Sequence, residues 1–345
     1  MRILITGGAG FIGSNFVRFM LRKYPGYEIA VLDKLTYAGR KENLQDIWDK
    51  ITFIKGDITR KEDAEKAVKN CDYIVNFAAE THVDRSIMDS RTFVLTDVYG
   101  IYNLLEAARK ADIEKFEQIS TDEVYGHTKK ESFKEEDPLK PRNPYAASKA
   151  GAELLCRSYF ETYGLPIIIT RGTNNYGPYQ HPEKFIPKTI TYALLNRPIP
   201  IYGTGKNVRD WLYVEDHCRA IDLALHKGKN GEIYNIASKE ELKNIQVARK
   251  ILTLMGKSEN LIEFVKDRPG HDLRYSLDAS KIEEQLGWKA NVKFDDGIRR
   301  TIDWYIRNEW WWKPIIETGD TDFHKKFSQV ASSGKEFINI ESNFI

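Results

Sequence analysis

Ile3-Leu4-Ile5-Thr6-Gly7-Gly8-Ala9-Gly10-Phe11-Ile12-Gly13 opens the chain with a short apolar run, a glycine cluster and the start of an amphipathic stretch that reaches Lys23. The order predicts a strand, a tight turn and a helix. Gly8, Gly10 and Gly13 fit G-x-G-x-x-G, while Gly7, Gly10 and Gly13 fit the related G-x-x-G-x-x-G. In both patterns a turn without side chains lets the N–H groups of a helix start approach a pyrophosphate. A tight turn with no ligand has the same look, so the reading needs support from farther along. Asp33 gives it, twenty residues beyond Gly13 at the end of a second apolar run, where an acid accepts hydrogen bonds from an adenosine ribose. An acid here favours NAD over NADP, although the neighbouring Lys34 could still accommodate a 2′-phosphate.

Apolar runs recur at 51–55, 73–77, 116–119 and 166–171, each separated by a helical stretch, so six strands precede the first change in texture. Repeated strand and helix units predict an α/β fold, a doubly wound parallel sheet of Rossmann type over residues 1–172. Ligands of such sheets bind beyond the carboxyl ends of the strands. Gly56-Asp57-Ile58 follows the third run, and Asp57 there either faces an adenine or caps the helix that begins near Thr59. The fourth run leads into Ala78-Ala79-Glu80-Thr81-His82, small enough at its start for close backbone approach. His82 has no companions at metal-ligand spacing and reads as a hydrogen-bonding side chain. Residues 91–110 predict one long helix, with too many apolar residues for a narrow stripe, which points to a second buried face and a subunit interface.

After residue 172 the rhythm becomes irregular. Short helices at about 184–195, 214–226 and 243–254 mix with small strands at 199–201 and 232–236. These predict a smaller α/β substrate-binding cap over the carboxyl edge, mainly residues 173–318, with segments that can return to the first sheet. Arg209 and Arg268 suit a diphosphate, because a guanidinium matches phosphate oxygens bidentately, although isolated arginines more often make surface ion pairs. Trp310-Trp311-Trp312 reads as packing. The tail at 319–345 has no reading.

Composition narrows the class. With 345 residues, 41% apolar and 12% aromatic, the chain can bury a large core. Its formal charge of +2 gives no electrostatic footprint for nucleic acid. No apolar stretch reaches membrane-spanning length and no secretory signal is visible. Cys71, Cys156 and Cys218 are odd in number and lack C-x-x-C spacing, so neither a disulfide framework nor a metal site is expected. A cytoplasmic protein is the economical expectation.

The chemistry gathers in two stretches. Ser120-Thr121-Asp122-Glu123-Val124-Tyr125-Gly126 puts two adjacent carboxylates just past a buried strand. Tyr145-Ala146-Ala147-Ser148-Lys149 puts a phenol and an amine at i and i+4, on one face of a helix. Either stretch alone has a bland reading, a solvated turn or an ordinary helix face in a chain with 18 tyrosines. Together they can take one proton from a sugar hydroxyl and manage two more, the equipment for oxidation followed by elimination.

These residues resemble the dTDP-glucose 4,6-dehydratase family of the extended short-chain dehydrogenase/reductase superfamily. The similarity rests on the glycine loop, Asp33, the Tyr145 and Lys149 pair, residues 120–126, His82 to Ile87, Asn174 to Pro178, Pro182 to Lys184, Arg209 to Asp216 and Arg268 to Asp272. It covers about residues 1–312. The resemblance implies NAD retained through each turnover, held by Gly7, Gly10, Phe11, Ile12, Gly13, Asp33, Lys34, Asp57, Ile58, Thr96 and Asn175 beside Tyr145 and Lys149. It implies Tyr145 as base at the sugar 4-hydroxyl with Lys149 assisting, Glu123 as base at C5, Asp122 as acid toward the 6-hydroxyl and Thr121 holding the sugar. A nucleotide-sugar site would comprise Thr81, Thr121, Asn174, Lys184, Phe185 and Pro200. Ile201, Tyr202, Arg209, Asn244, Arg268 and His271 would complete it. A homodimer through a four-helix bundle of the helices at 91–110 and 145–163 is also implied. Two departures stand out: Asp97 replaces a common Asn, and Gly172-Thr173 replaces a pair that is often Cys-Ser.

A nucleotide-sugar 4-epimerase would use Tyr145, Lys149 and NAD but leave Asp122 and Glu123 without a task. A non-catalytic NAD-sensing protein would explain the glycine loop but not the Tyr/Lys pair. The choice between dTDP and UDP stays open at this level, as does the pathway, since rhamnose and other deoxysugars share a 4-keto-6-deoxy intermediate.

Overall fold

The computed structural model describes residues 1–268 and 270–318; the tail at 319–345 lies outside them. In chain order, β1 (Arg2–Thr6), α1 (Phe11–Lys23), β2 (Glu28–Asp33), β3 (Thr52–Lys55), α2 (Lys61–Val68) and β4 (Tyr73–Asn76) form the first half of the sheet. Next come α3 (Val83–Met88), α4 (Ser90–Phe93), α5 (Gly100–Arg109), β5 (Lys115–Thr121), α6 (Pro144–Tyr163) and β6 (Ile167–Gly172). The rest is β7 (Asn174–Tyr176), α7 (Phe185–Leu194), β8 (Ile199–Tyr202), β9 (Val208–Tyr213), α8 (Val214–Lys227) and β10 (Ile233–Ile236), followed by β11 (Glu241–Lys243), α9 (Asn244–Leu254), β12 (Ile262–Val265), α10 (Ser280–Leu286), α11 (Phe294–Arg307) and α12 (Glu309–Glu317).

The main sheet runs β10-β6-β5-β4-β1-β2-β3, and every pairing in it is parallel. Strand order reverses between β1 and β4, so the crevice at their carboxyl ends is the place where a ligand fits such a sheet. Apolar cores cover both faces, one under α2, α5 and α6 with Leu4, Ile74, Leu104 and Phe116, the other under α1 and α8 with Ile3, Val31, Phe16 and Ile221. The cap has its own core of Tyr176, Ile190, Trp211, Ile251, Ile298 and Trp312. Asn143 caps α6 by accepting from the Ala146 N–H at 2.8 Å, with Pro144 at the first helical position, where its missing N–H costs nothing. Among the described residues no helix is long and apolar enough to cross a membrane.

The run at 232–236 and the helix at 214–226 return to the first sheet, as the reading allowed for some segments: β10 is its seventh strand, pairing with β6 from Ile233↔Ile169 onward, and α8 packs beside α1. Tyr234 and Ile236 of β10 are buried there. Two expectations change. The helix expected at 91–110 is broken by a π-helical turn, Val94–Tyr99, between α4 and α5. That turn points Thr96 and Asp97 inward and leaves Val94, Leu95 and Tyr99 exposed. Asp57 does not cap a helix, because α2 begins after Arg60; its carboxylate receives the Thr59 N–H at 2.9 Å within the preceding turn. Of the three tryptophans read as packing, Trp311 and Trp312 are buried and Trp310 is exposed.

Candidate active site

One cleft at the carboxyl edge gathers every residue expected to hold the cofactor, and with them Thr81, Thr121, Asp122, Glu123, Asn174 and Lys184. At its floor, the glycine turn is closed by the Gly7 N–H on the Leu32 carbonyl (2.8 Å) and the Gly10 N–H on Gly7 (3.0 Å). A Cβ on Gly13 would lie 2.4 Å from the Gly7 carbonyl oxygen, so the turn and helix can approach only if this residue is glycine. The start of α1 has no side-chain cap and no acid in its first turn. Its N–H groups therefore remain available to an anion such as a pyrophosphate.

Asp33 ends β2 with one carboxylate oxygen on the Ala9 N–H (3.0 Å) and the other on the Leu35 N–H (2.8 Å). Lys34 sits 3.6 Å from Asp57 and 3.9 Å from Glu80. Its charge is thus met by two acids, and three carboxylates crowd the spot that a 2′-phosphate would need. The donor set fits NAD rather than NADP.

The second half of the cleft lies under α6. Tyr145 and Lys149 are both buried there. Burial, followed by Glu123 and Asp97, pushes the phenol well above its ordinary 10, while the Thr121 hydroxyl pulls it back. Lys149 donates to the Ile119 carbonyl at 2.7 Å rather than to the phenol. Burial lowers its pKa and Asp97 opposes that shift. Asp97 accepts from Ser148 Oγ (2.6 Å) and from the Glu80 N–H (2.8 Å); burial raises its pKa to about 7 against the pull of Lys149. Asp97 therefore puts a titratable carboxyl under the pair where an Asn would put none.

Asp122 and Glu123 form a short 3-10 turn after β5 and have unlike surroundings. Asp122 is buried, with Oδ1 on the Thr121 hydroxyl at 3.0 Å and Oδ2 without a partner. Burial first, then Glu123, push its pKa up to about 8. Glu123 is half-buried, and its Oε2 accepts from Asn143 Nδ2 (3.1 Å); the Tyr275 hydroxyl lies 3.3 Å away and shares its one hydrogen with Asp272 Oδ2 at 2.7 Å. A neutral acid thus stands beside an oriented carboxylate.

The remaining nucleotide-sugar candidates lie in the cap. Asp84 joins two of them, accepting from Arg268 Nη1 at 3.0 Å and from the Tyr202 hydroxyl at 2.9 Å. His271 sets its ring edge on Tyr202 and contacts Asp267 at 2.6 Å. Arg209 stacks on Tyr275 with its carbon 4.3 Å from the ring centre, and donates to the Asp272 carbonyl at 3.0 Å. Phe185 tilts against Trp211, and Asn244 begins α9 with its Oδ1 buried and without a partner. Pro200 and Ile201 sit in β8, paired to β12. The Ile201 side chain is in the cap core, so only its main chain can face a ligand.

Several cleft residues carried no sequence signal. Tyr37 lies under the Arg85 guanidinium at 3.8 Å, and Gln180 and His181 form part of the wall beside Glu183 of the 182–184 stretch. His217 on α8 reaches Asn175 Oδ1 at 3.0 Å, and a Cβ on Gly172 would meet its ring at 2.7 Å. The glycine at 172 is thereby explained: the imidazole fills the space.

A family model described as GDP-mannose 4,6 dehydratase matches residues 4–301. The chain is 52% identical to the low-salt glycan biosynthesis protein Agl12 of Haloferax volcanii over 90% of its length and all of that protein. It is 48% identical to a dTDP-glucose 4,6-dehydratase of Streptomyces niveus, over 91% of this chain and 96% of that one. In structure it matches the dTDP-glucose 4,6-dehydratase DesIV of Streptomyces venezuelae, solved with NAD and dTDP bound. The TM-score is 0.90 at 48% identity, covering 91% of this chain and 100% of that one.

Proposed function

Because this chain belongs to the family of dTDP-glucose 4,6-dehydratases, we propose that it converts dTDP-glucose to dTDP-4-keto-6-deoxyglucose, using the side chains of the cleft as follows. The observation that carries this reading is the pair Asp122 and Glu123, one buried without a partner on Oδ2 and one half-buried and held by Asn143, in the same cleft as Tyr145. A 4-epimerase would leave both acids idle.

When bound, NAD supplies the hydride exchange, accepting from C4 and returning to C6. Tyr145 takes the O4 proton. Its burial makes this costly; the Thr121 hydroxyl favours the phenolate, and the positive charges of Lys149, one turn along, and of a bound nicotinamide would add to that. Asp97 opposes the fall that burial imposes on the Lys149 pKa. The 4-ketone acidifies C5, and Glu123 removes that proton. Asp122 gives its own proton to the departing 6-hydroxyl, which leaves as water, and Glu123 then returns a proton to C5. Unequal burial divides acid from base in this pair. Arg209 and Arg268, within electrostatic reach of each other and of Glu123, would face the diphosphate.

Because Asp122 must hold a proton to act, kcat should fall about tenfold per unit as pH rises beyond about 8, where Asp122 ionises. A pH profile of single-turnover dehydration checks this, and a flat profile to pH 10 would remove Asp122 from the role. The function itself is tested by NMR of dTDP-glucose and UDP-glucose, incubated separately in deuterated water without added cofactor. A 4-keto-6-deoxy product with deuterium at C5, formed faster from dTDP-glucose, is expected. Conversion to the galactose isomer would establish an epimerase instead.

The exposed Val94, Leu95, Tyr99, Tyr102 and Leu154 lie on the π turn, α5 and α6. We assign them to a homodimer interface in which two copies of α5 and α6 make a four-helix bundle; a monomeric mass by light scattering would refute it. Three free, buried cysteines suit a reducing cytoplasm. The product suits deoxysugar synthesis, rhamnose included.

A further inference from the structure

The amide of Asn175 has one consistent orientation. Its Nδ2 donates to the Thr173 carbonyl at 3.0 Å, which leaves Oδ1 as an acceptor, and Oδ1 faces His217 Nδ1 at 3.0 Å. The imidazole must therefore carry its hydrogen on Nδ1, because two lone pairs would otherwise oppose each other. Burial keeps the ring neutral, with its pKa pushed down to about 3. Nε2 is then a bare acceptor. His217 is 1% exposed, lines the cleft, and has no hydrogen-bond partner on Nε2 among the described residues. A buried acceptor in that state costs free energy unless something donates to it.

Its place along the cleft points to the donor. The glycine turn that suits a pyrophosphate follows β1, and Asp33, which suits the adenosine ribose, ends β2, to one side of β1 in the sheet. The other half of a dinucleotide must run the opposite way, over the ends of β4, β5 and β6, toward Tyr145 and Lys149. His217 stands at that end. It reaches from α8 to Gly172, the last residue of β6, which is in register with Thr121 of β5. A Cβ at 172 would lie 2.7 Å from the ring Cε1 and 2.8 Å from Nε2, so the bare nitrogen sits where glycine alone leaves room. Phosphates and carbonyls cannot satisfy it; the nicotinamide carboxamide brings an N–H₂ that can, and that group turns with the ring it is attached to.

We propose that His217 Nε2 accepts a hydrogen bond from the carboxamide N–H₂ of bound NAD. The contact holds the pyridine ring at one rotation about its glycosidic bond, so that one face is presented to the sugar and the hydride that arrives from C4 is the one that leaves toward C6. Asn175 is a positioning residue in this arrangement: by accepting from Nδ1 it fixes the tautomer that leaves Nε2 bare. Gly172 admits the ring. The inference rests on the dinucleotide site and not on the roles assigned above to Asp122 and Glu123.

The acetylpyridine analogue of NAD, in which a methyl replaces the carboxamide nitrogen, removes the donor and keeps the rest of the cofactor. NAD-loaded enzyme is equilibrated with mixtures of NAD and this analogue, and the bound nucleotides are separated and quantified. Wild-type protein should prefer NAD by about tenfold or more, the scale of one hydrogen bond to a buried acceptor. His217→Phe, which fills the same space without an acceptor, should shrink that preference about tenfold. Its preference between NAD and the hypoxanthine analogue, altered at the adenine end, should stay as in the wild type. The assignment is overturned if the wild type does not discriminate, if His217→Phe discriminates as well as the wild type, or if both ratios shift alike, which would make the histidine a packing residue only. Heteronuclear NMR of labelled histidine rings checks the wild-type protein without any variant: exchanging NAD for the acetyl analogue should move the Nε2 resonance of a ring protonated on Nδ1. No movement in any of the seven histidines would also overturn it. Failure of the wild-type enzyme to dehydrate dTDP-glucose would sink the reaction assigned above and leave these ratios as they are.

Discussion

Glu123→Gln should all but stop solvent deuterium from entering C5, lowering exchange and product formation by about 10²- to 10⁴-fold, the usual scale for removal of a general base. Glutamine has the same length and can still accept from Asn143 Nδ2, which holds the native carboxylate at 3.1 Å. The fold and NAD affinity should therefore persist. A second effect follows from charge: Glu123 is the chief electrostatic reason, after burial, that Asp122 holds its proton. Without it Asp122 should ionise at lower pH, so the residual activity should begin to fall below pH 8. The measurement is NMR of C5 deuterium in substrate and product; exchange at the wild-type rate would rule Glu123 out as the C5 base.

Tyr145→Phe should block the step before it. The ring can stay packed edge-on to Phe93, at 6.3 Å between centres, so removal of one hydroxyl should leave the helix in place. Loss of the base should lower C4 oxidation by roughly 10³-fold or more. With dTDP-glucose deuterated at C4, the wild-type enzyme should move the label to C6, and the variant should return the sugar unchanged while still binding NAD. Migration of label at near-native rate would give the O4 proton to some other group.

The parts of this site that could be read from the chain are those whose meaning is local. The glycine loop and Asp33 are separated by a single helix, and Tyr145 and Lys149 by a single helical turn, so spacing alone fixes their relation. Asp122 and Glu123 follow a strand whose polarity sets the edge they face. Their unequal burial, which divides acid from base, comes from distant residues such as Asn143 and Tyr275 and has no local signature. The same holds for β10, which has the composition of any short strand and is placed in the main sheet only by its partner, β6. The π turn around Asp97 shares the apolar periodicity of the helices that flank it. Tyr202 and Arg268 of the cap meet Asp84 of α3 across 118 and 184 residues of chain, beyond what pattern can specify.

One side chain ties the ends of the molecule together. Asn43 donates to the Ala9 carbonyl in the glycine loop at 2.7 Å, and its Oδ1 accepts from the Trp311 indole at 2.8 Å, 268 residues later. On the same flank α8 packs on α1, with Arg22 on Glu215 and Lys23 on Asp222. The cofactor loop therefore sits among contacts of very high sequence separation, whose loop-closure entropy is met only late in folding. A growing chain would expose its nucleotide-binding half well before β10, α8 and Trp311 existed to complete it. Pulse-labelled hydrogen exchange during refolding should then show β1 and β2 gaining full protection no earlier than β10; early protection of the first 172 residues alone would show that they fold as a unit in their own right.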